Sequence, residues 1–412
     1  MYISRAIEDV ILQTSQTFKV LMLTGPRQTG KTTLLQKLAD SERRYVTLDD
    51  LALRSLAQSD PQLFLSRFEA PVLIDEIQYA PELLPYIKID VDKKQQNGAY
   101  WLTGSQMFHA MRGLSESLAG RVGIIDLFAL SQREVAGSVS AAFSTDPRFI
   151  MTHAKTAPAA DLKAIYERIF QGGMPQLVAD PRVDRDRFFA SYVATYIERD
   201  IRDLTQISSE TAFLRFMTVV AAHTARPLVM EEIAQAAEVT APTVKRWLSL
   251  LSSTGIIALV QPFHHSALKR AVKMPLLHFM DTGLAAYLTG WTSPAVLERG
   301  AMTGQFFETW VFTELYKSFI NAGVRPPIYY YRDKDKKEID LLLHQNGTLY
   351  PMEIKKTANP GLNDIRNFSV LSPLETMRGQ LKVQVGNGAV LCMIPEPLPI
   401  NNSNWYVPAR II

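Results

Sequence analysis

The chain has 412 residues, a 47% hydrophobic share and a net charge of +3 from 44 basic and 41 acidic residues. That length exceeds what one core serves and the composition excludes global disorder, while so small a charge excludes a surface basic throughout. A single cysteine, Cys392, excludes an intrachain disulfide; Arg5, Glu8 and Asp9 stand where a signal peptide needs an apolar run, and no apolar stretch reaches the ~18 residues of a membrane helix, so the sequence predicts a soluble cytoplasmic protein with no membrane partner.

Residues 3–12 have helical spacing and lead to an apolar strand at 19–24. The strand breaks into a loop that fits G-x-x-x-x-G-K-[ST] from Gly25 to Thr32 and opens a helix at LLQKL. Gly25 and Gly30 let backbone approach a phosphate chain, and the loop N–H groups and helix N-terminus supply donors and positive potential. The expected nucleotide contacts are Gly25, Pro26, Arg27, Gln28, Thr29, Gly30, Lys31, Thr32 and Thr33. Lys31 can reach the β and γ phosphates, and the Thr32 hydroxyl can take one place around Mg²⁺. A plain glycine turn with a surface lysine is the alternative.

A second strand is expected at 44–50 and a third at 71–77, where Val72-Leu73-Ile74 runs into Asp75 and Glu76. A buried parallel strand ending in two acids is what the second half of such a site needs, with Asp75 on the metal side and Glu76 as the base toward water. An acidic helix cap is the competing reading. The fourth strand, 99–106, ends in Thr103, Ser105 and Gln106, placed to sense a γ-phosphate or its water; the fifth is 122–130. Arg121 stands just before it, either a surface charge or an arginine offered to a neighbouring subunit's nucleotide. Five strands alternating with helices predict an α/β, doubly wound parallel sheet with ATP at the carboxyl ends of its strands.

In their order and spacing, LTGPRQTGKTTLL, LDD, VLIDEIQYAPELLP, LTGSQ and LAGR resemble the prokaryotic AAA-type P-loop ATPases that carry a C-terminal domain of unknown function 4143. The resemblance implies ATP binding by Gly25 to Thr33, a Walker B pair at Asp75 and Glu76, a sensor at Ser105 and a finger at Arg121.

Residues 151–295 are expected to form a helical lid followed by a winged helix. The FQGGMPQLV turn at 170–178 resembles the adenine-side contact of related ATPases, which would put Met174 or Pro175 near the base, although a helix stop explains it equally. Arg199 is a second-sensor candidate set against simple surface pairing. From Pro227 a helix, a turn and a second helix bearing Val244, Trp247, Leu248 and Leu251 at helical spacing predict helix-turn-helix with Lys245, Arg246 and Ser249 outward and KRAVK at 269–273 in the wing. Such residues suit DNA contact, in preference to RNA, or interdomain packing.

In residues 296–412 an amphipathic helix at 304–320 carries Glu308 on its apolar stripe, where a carboxylate needs a metal or a cation. Strand alternation sets Glu338 with Asp340 and Glu353 with Lys355, a D…E-x-K arrangement across a hairpin that can hold Mg²⁺ through Glu308, Asp340 and Glu353 while Lys355 prepares a water. This resembles the PD-(D/E)XK nuclease core, without the Pro before Asp340. A further strand pair is expected around Gly386–Gly388. The resulting expectation is an ATPase at 1–150, a lid with a winged helix at 151–295 and a nuclease-like α/β domain at 296–412, working with ATP, Mg²⁺ and nucleic acid. The competing expectation is a nucleotide-gated interaction or DNA-binding protein whose nuclease-like domain is inactive. A homo-oligomer follows only if Arg121 acts across a subunit boundary.

Overall fold

A computed structural model describes residues 2–104, 118–138, 141–196, 209–264, 274–333, 335, 337–371 and 383–412. Ser105, Gln106, Arg199 and the 269–273 basic run lie outside the described residues. The first five strands, β1 (Val20–Thr24), β2 (Arg44–Thr47), β3 (Val72–Asp75), β4 (Tyr100–Thr103) and β5 (Val122–Asp126), form one parallel sheet in the order β2-β3-β4-β1-β5. Side-chain alternation divides its apolar residues between two faces. Val20, Met22, Ile74 and Leu102 pack in one cluster, and Leu21, Leu23, Leu73 and Trp101 in another. Because both faces are covered, by helices that include α1 (Glu8–Thr17), α2 (Lys31–Leu38), α3 (Leu51–Ser59), α4 (Pro61–Arg67) and α5 (Leu83–Lys94), β1 and β3 are unbroken buried runs.

The first strand ends at Thr24 as the sequence predicts, but β2 to β5 each end earlier at the carboxyl side, at Thr47, Asp75, Thr103 and Asp126. At β3 the cause is visible: Glu76 takes a left-handed conformation at φ 59° and the chain turns at once into a short 3-10 segment. The first helix starts at Glu8 and not at residue 3, because the Arg5 side chain is drawn away to carbonyls of Thr29 and Phe128.

After the sheet come α6 (Gln132–Val135), α7 (Pro147–Thr156), α8 (Leu162–Gln171), α9 (Pro175–Ala179), α10 (Arg185–Tyr196), α11 (Glu210–Ala222), β6 (Arg226–Pro227), α12 (Met230–Ala237), α13 (Ala241–Ser253), β7 (Ile257–Val260) and β8 (Leu276–Phe279). The last three strands pair antiparallel in the order β6-β8-β7. The Thr240 hydroxyl caps α13, whose Val244, Trp247, Leu248 and Leu251 are buried while Lys245, Arg246 and Ser249 are exposed, as the helical period requires.

Two further helices, α14 (Thr282–Leu288) and α15 (Pro294–Arg299), lead to α16 (Thr303–Asn321). A second sheet follows: β9 (Ile328–Arg332), β10 (Glu338–Gln345), β11 (Thr348–Ile354), β12 (Gln384–Val385), β13 (Gly388–Cys392), β14 (Leu398–Pro399) and β15 (Asn404–Pro408), in the order β14-β15-β13-β11-β10-β9 with β12 also beside β11. β9, β10 and β11 are antiparallel; β13 runs parallel to β11 and β15 parallel to β13. The strands flanking Gly386–Gly388 therefore do not pair with each other: both lie along β11. Nor is α16 amphipathic in its setting. It is buried on nearly every side, Glu314 and Lys317 included, because one apolar cluster runs without a break from Phe128 in the first domain's last loop to Ile412. Residue 296 marks no gap in packing.

Candidate functional site

The carboxyl ends of β1, β3 and β4 meet at one edge of the first sheet, and the loop after β1 closes over them. Gly25 has φ 131°, and a Cβ there would stand 2.2 Å from the Leu127 carbonyl oxygen, so only glycine lets the loop pass the β5 exit. Gly30, at φ 88°, turns the chain into α2. Lys31 is 7% exposed and its ammonium donates to Gly25 O at 3.0 Å and Pro26 O at 2.8 Å, folded over the mouth of its own loop. The Thr32 hydroxyl donates to Asp75 Oδ1 at 2.7 Å across 43 residues, and the Tyr45 hydroxyl to Oδ2 at 3.1 Å. Burial, reinforced by the Asp75 charge, pushes the Tyr45 phenol up to about 12, which keeps it a donor. The Thr103 hydroxyl also bonds Asp75, and accepts from the Glu76 N–H at 3.2 Å.

A hydroxyl and a buried carboxylate held together in this way are hard oxygen donors that fit Mg²⁺. Glu76 points out of the strand and its carboxylate accepts from the Gln78 amide. The loop, Thr32, Asp75 and Glu76 are thus brought together, as their spacing predicts. Arg121 is elsewhere. It precedes β5, at the amino ends of the strands, where its carbonyl accepts from Val20 N, and its guanidinium holds Asp92 through contacts of 2.6 and 2.9 Å.

Beside the loop lies a cavity of about 340 Å³ whose wall includes Tyr2, Arg5, Thr29, Gly30, Thr33 and Pro175. Of the two residues expected at this place, Pro175 lines it; Met174 sits in an adjoining seam with Pro26, Phe128 and Gly255. The glycine pair ahead of them is bolted down, Gly173 N donating to Asp281 Oδ2 at 2.9 Å and its carbonyl accepting from Leu130 N. Sequence reasoning missed Tyr2, Arg5 and Glu134. Arg5 donates to Thr29 O at 2.9 Å, Phe128 O at 2.7 Å and Glu134 Oε1 at 2.8 Å, so one buried guanidinium ties the loop to the β5 exit. The capping box Ser131-x-x-Glu134 was a visible local signal; nothing near Arg5 marked its role.

In the second sheet, Lys355 Nζ stands 2.6 Å from Glu353 Oε2 and 3.3 Å from Asp340 Oδ2, and Ile354 N donates to Asp340 Oδ2 at 2.8 Å. Burial and the charges of Asp340 and Glu338 raise the Glu308 carboxyl well above its usual range, with Glu353 adding and Lys355 opposing. Burial, then Asp340, lifts Glu353 to about 8 against the pull of Lys355. Burial disfavours the Lys355 ammonium, yet Asp340 and Glu353 keep its pKa raised. The four predicted residues therefore do share one site. As they stand, the ammonium occupies the place between two carboxylates, and among the described residues no three His, Cys, Asp or Glu side chains converge to hold a metal. Among the described residues Glu353 Oε1 is buried without a hydrogen-bond partner, and a cation would satisfy it.

A pH dependence follows. Glu353 has a folded value above the usual 4.5, so its contribution to stability is complete below 4.5 and drains away as pH rises toward about 8. In chelator, the urea midpoint of the wild type is expected to fall across that window more steeply than that of Glu353→Gln. Equal slopes would show that the carboxyl is not perturbed.

Residues 17–136 match the AAA domain family, residues 162–295 a domain of unknown function (DUF8612) and residues 303–412 another (DUF4143). Uncharacterized proteins of Mycobacterium tuberculosis (Rv2008c) and Mycobacterium bovis (Mb2031c) are each 29% identical over 393 residues, covering 95% of this chain and 80% of theirs. Among solved structures, the Walker-type ATPase PABY2304 of Pyrococcus abyssi overlays with a TM-score of 0.45 at 16% identity, covering 70% of this chain and 96% of that one. RuvB of Thermotoga maritima overlays with a TM-score of 0.29 at 18% identity, covering 61% and 86%. The first third of the chain is thus similar to AAA-type P-loop domains. No helix among the described residues is long and apolar enough to cross a membrane.

Proposed function

We propose that this protein binds and hydrolyses ATP at the Gly25–Thr33 loop and couples nucleotide state to a C-terminal nuclease-like domain that acts on nucleic acid. The observation that carries the first half is the Thr32–Asp75 hydrogen bond at 2.7 Å, which joins the loop to the acidic strand end beside a cavity large enough for a base. The base would lie between Tyr2 and Pro175, and the triphosphate along the loop, where Lys31 exchanges its carbonyl partners for β and γ oxygens. Thr32 and Asp75 would hold Mg²⁺, which neutralises charge on those oxygens. Glu76, steadied by Gln78, would take the proton of the attacking water, and Ser105, which lies outside the described residues, would sense the γ-phosphate. Arg121 would have to leave Asp92 and act on the nucleotide of a second copy.

Coupling has a physical route. A Cβ on Gly255, in the turn after α13, would stand 3.0 Å from Pro26 Cδ, so the helix-turn-helix rests on the phosphate loop itself. A winged-helix reading of α11 to β8 leaves Lys245 and Arg246 for DNA phosphates. The helix α16, the antiparallel β9-β10-β11 and the parallel β13 support a PD-(D/E)XK-like core, with Glu308, Asp340 and Glu353 for Mg²⁺ and Lys355 for the water.

The test is a gel assay of labelled single- and double-stranded DNA and RNA with and without Mg²⁺ and ATP, together with phosphate release. Asp340→Ala and Lys355→Ala are each expected to remove Mg²⁺-dependent cleavage, by ~10²-fold or more, while leaving ATP turnover in place. One observation favours the second reading, a nucleotide-gated binder with an inactive domain: the Lys355 bridge between Asp340 and Glu353. No cleavage of any substrate, with nucleotide-dependent binding retained, would decide for it.

A further inference from the structure

Away from both sites, the end of the chain is clamped between α6 and α7. Arg410 Nη1 donates to Ala154 O at 3.2 Å and Ala157 O at 2.8 Å, and Arg133 Nη2 to Ile411 O at 2.8 Å. Between these contacts lies a second cavity, of about 330 Å³, lined by Arg133, Thr152, His153, Arg168 and Arg410, with Ile412 in its wall. Among the described residues no carboxylate side chain lines it.

Arg410 also donates to Pro395 O at 3.3 and 2.9 Å and to Glu396 at 3.2 Å, so its guanidinium is engaged by the protein and shapes the wall, leaving Arg133 and Arg168 as the donors. Arg133 is 9% exposed, and its single side-chain hydrogen bond among the described residues, that to Ile411 O, leaves its other N–H groups without a protein acceptor. Arg168 makes no side-chain hydrogen bond or ion pair among the described residues, although it is only partly exposed. Burial lowers the pKa of Arg133, Glu314 offsetting this in part, so its charge is held there at a cost. The Arg133 and Arg168 guanidinium groups on one cavity wall, with a Thr152 hydroxyl that has no partner among the described residues, match the oxygens of a phosphate group better than a single carboxylate, and the volume leaves room for a small organic body.

We propose that this cavity binds a phosphate-bearing small molecule at a site separate from the nucleotide loop. The site joins three parts of the chain, since Arg133 neighbours Glu134, the partner of the loop-bracing Arg5, while Arg410 belongs to the C-terminal domain. A phosphate held by Arg133 and Arg168 would therefore tie α6 to α8 beside the Arg410 clamp.

Calorimetric titration of the full chain with inorganic phosphate and with ribose 5-phosphate, against ribose and chloride at matched ionic strength, tests this. At least one phosphate species should bind with Kd below about 1 mM, at least ~10-fold weaker in Arg168→Ala, and undiminished in Lys31→Ala. Tighter binding of ribose 5-phosphate assigns a phosphate monoester, and the reverse order free phosphate. Thr152→Glu, which puts a carboxylate into the cavity, should also abolish binding and serves should Arg168→Ala not fold. Binding that vanishes in Lys31→Ala but survives Arg168→Ala and Thr152→Glu belongs to the nucleotide loop and overturns the proposal. So does the absence of binding above the controls, the outcome if the terminal carboxylate of Ile412 already neutralises these arginines.

Discussion

Lys31→Ala is expected to abolish ATP turnover, with phosphate release falling at least ~10²-fold and nucleotide affinity falling with it. In the structure the ammonium is almost buried and donates to Gly25 O and Pro26 O, so its charge is held at the mouth of the loop. A strongly charged triphosphate offers that cation better acceptors than two peptide carbonyls. The replacement removes the charge and leaves those carbonyls unmet, at a cost to stability of about 1–3 kcal/mol, well short of unfolding the domain. Phosphate release and ATP titration are the measurements, with thermal unfolding as the control. A rate equal to the wild type would place hydrolysis at some other site and end the nucleotide reading of this loop.

Arg5→Ala should be the most damaging single change to stability, about 3–5 kcal/mol. The side chains of Arg5 and Glu134 are 5% and 1% exposed and meet at 2.8 Å. Burial alone would raise the Glu134 carboxyl, but the Arg5 charge and hydrogen bond, with N–H donors of Ser131 and Ala6, hold it below the usual carboxylate range. Without Arg5 that buried charge loses its counterion, and Thr29 O and Phe128 O lose donors. Arg5→Lys should rescue little, since a point charge cannot serve three divergent acceptors as a guanidinium does. Because Thr29 belongs to the phosphate loop, ATP affinity should fall as well. Urea unfolding measures the loss, and pairing Arg5→Ala with Glu134→Gln should recover part of it. A cost below about 1 kcal/mol would mean that the brace is dispensable.

The parts of the site that were legible are those written in short-range spacing. Val72-Leu73-Ile74 before Asp75 identified a buried strand ending in acid, and G-x-x-x-x-G-K-T allowed one local geometry. Glu308 with Asp340, Glu353 and Lys355 was readable from helix and strand periods. Arg121 shows the limit of such signals: its position before β5 was clear, its pairing with Asp92 was not.

By itself the sequence determined where strands alternate with helices in the first domain and that a glycine-bound cradle would face an acid, because these depend on repeats of two or 3.6 residues and on φ values that only glycine adopts freely. Tertiary structure alone decided that Arg5 meets Glu134 across 129 residues, that Tyr2 and Pro175 wall one cavity, that α16 is buried on nearly every side, and that Arg133 and Arg410 flank another. Such meetings carry no local repeat. They depend on how separately formed elements close long loops and pack into one continuous core, a choice made by the summed fit of many side chains and not by any stretch of them.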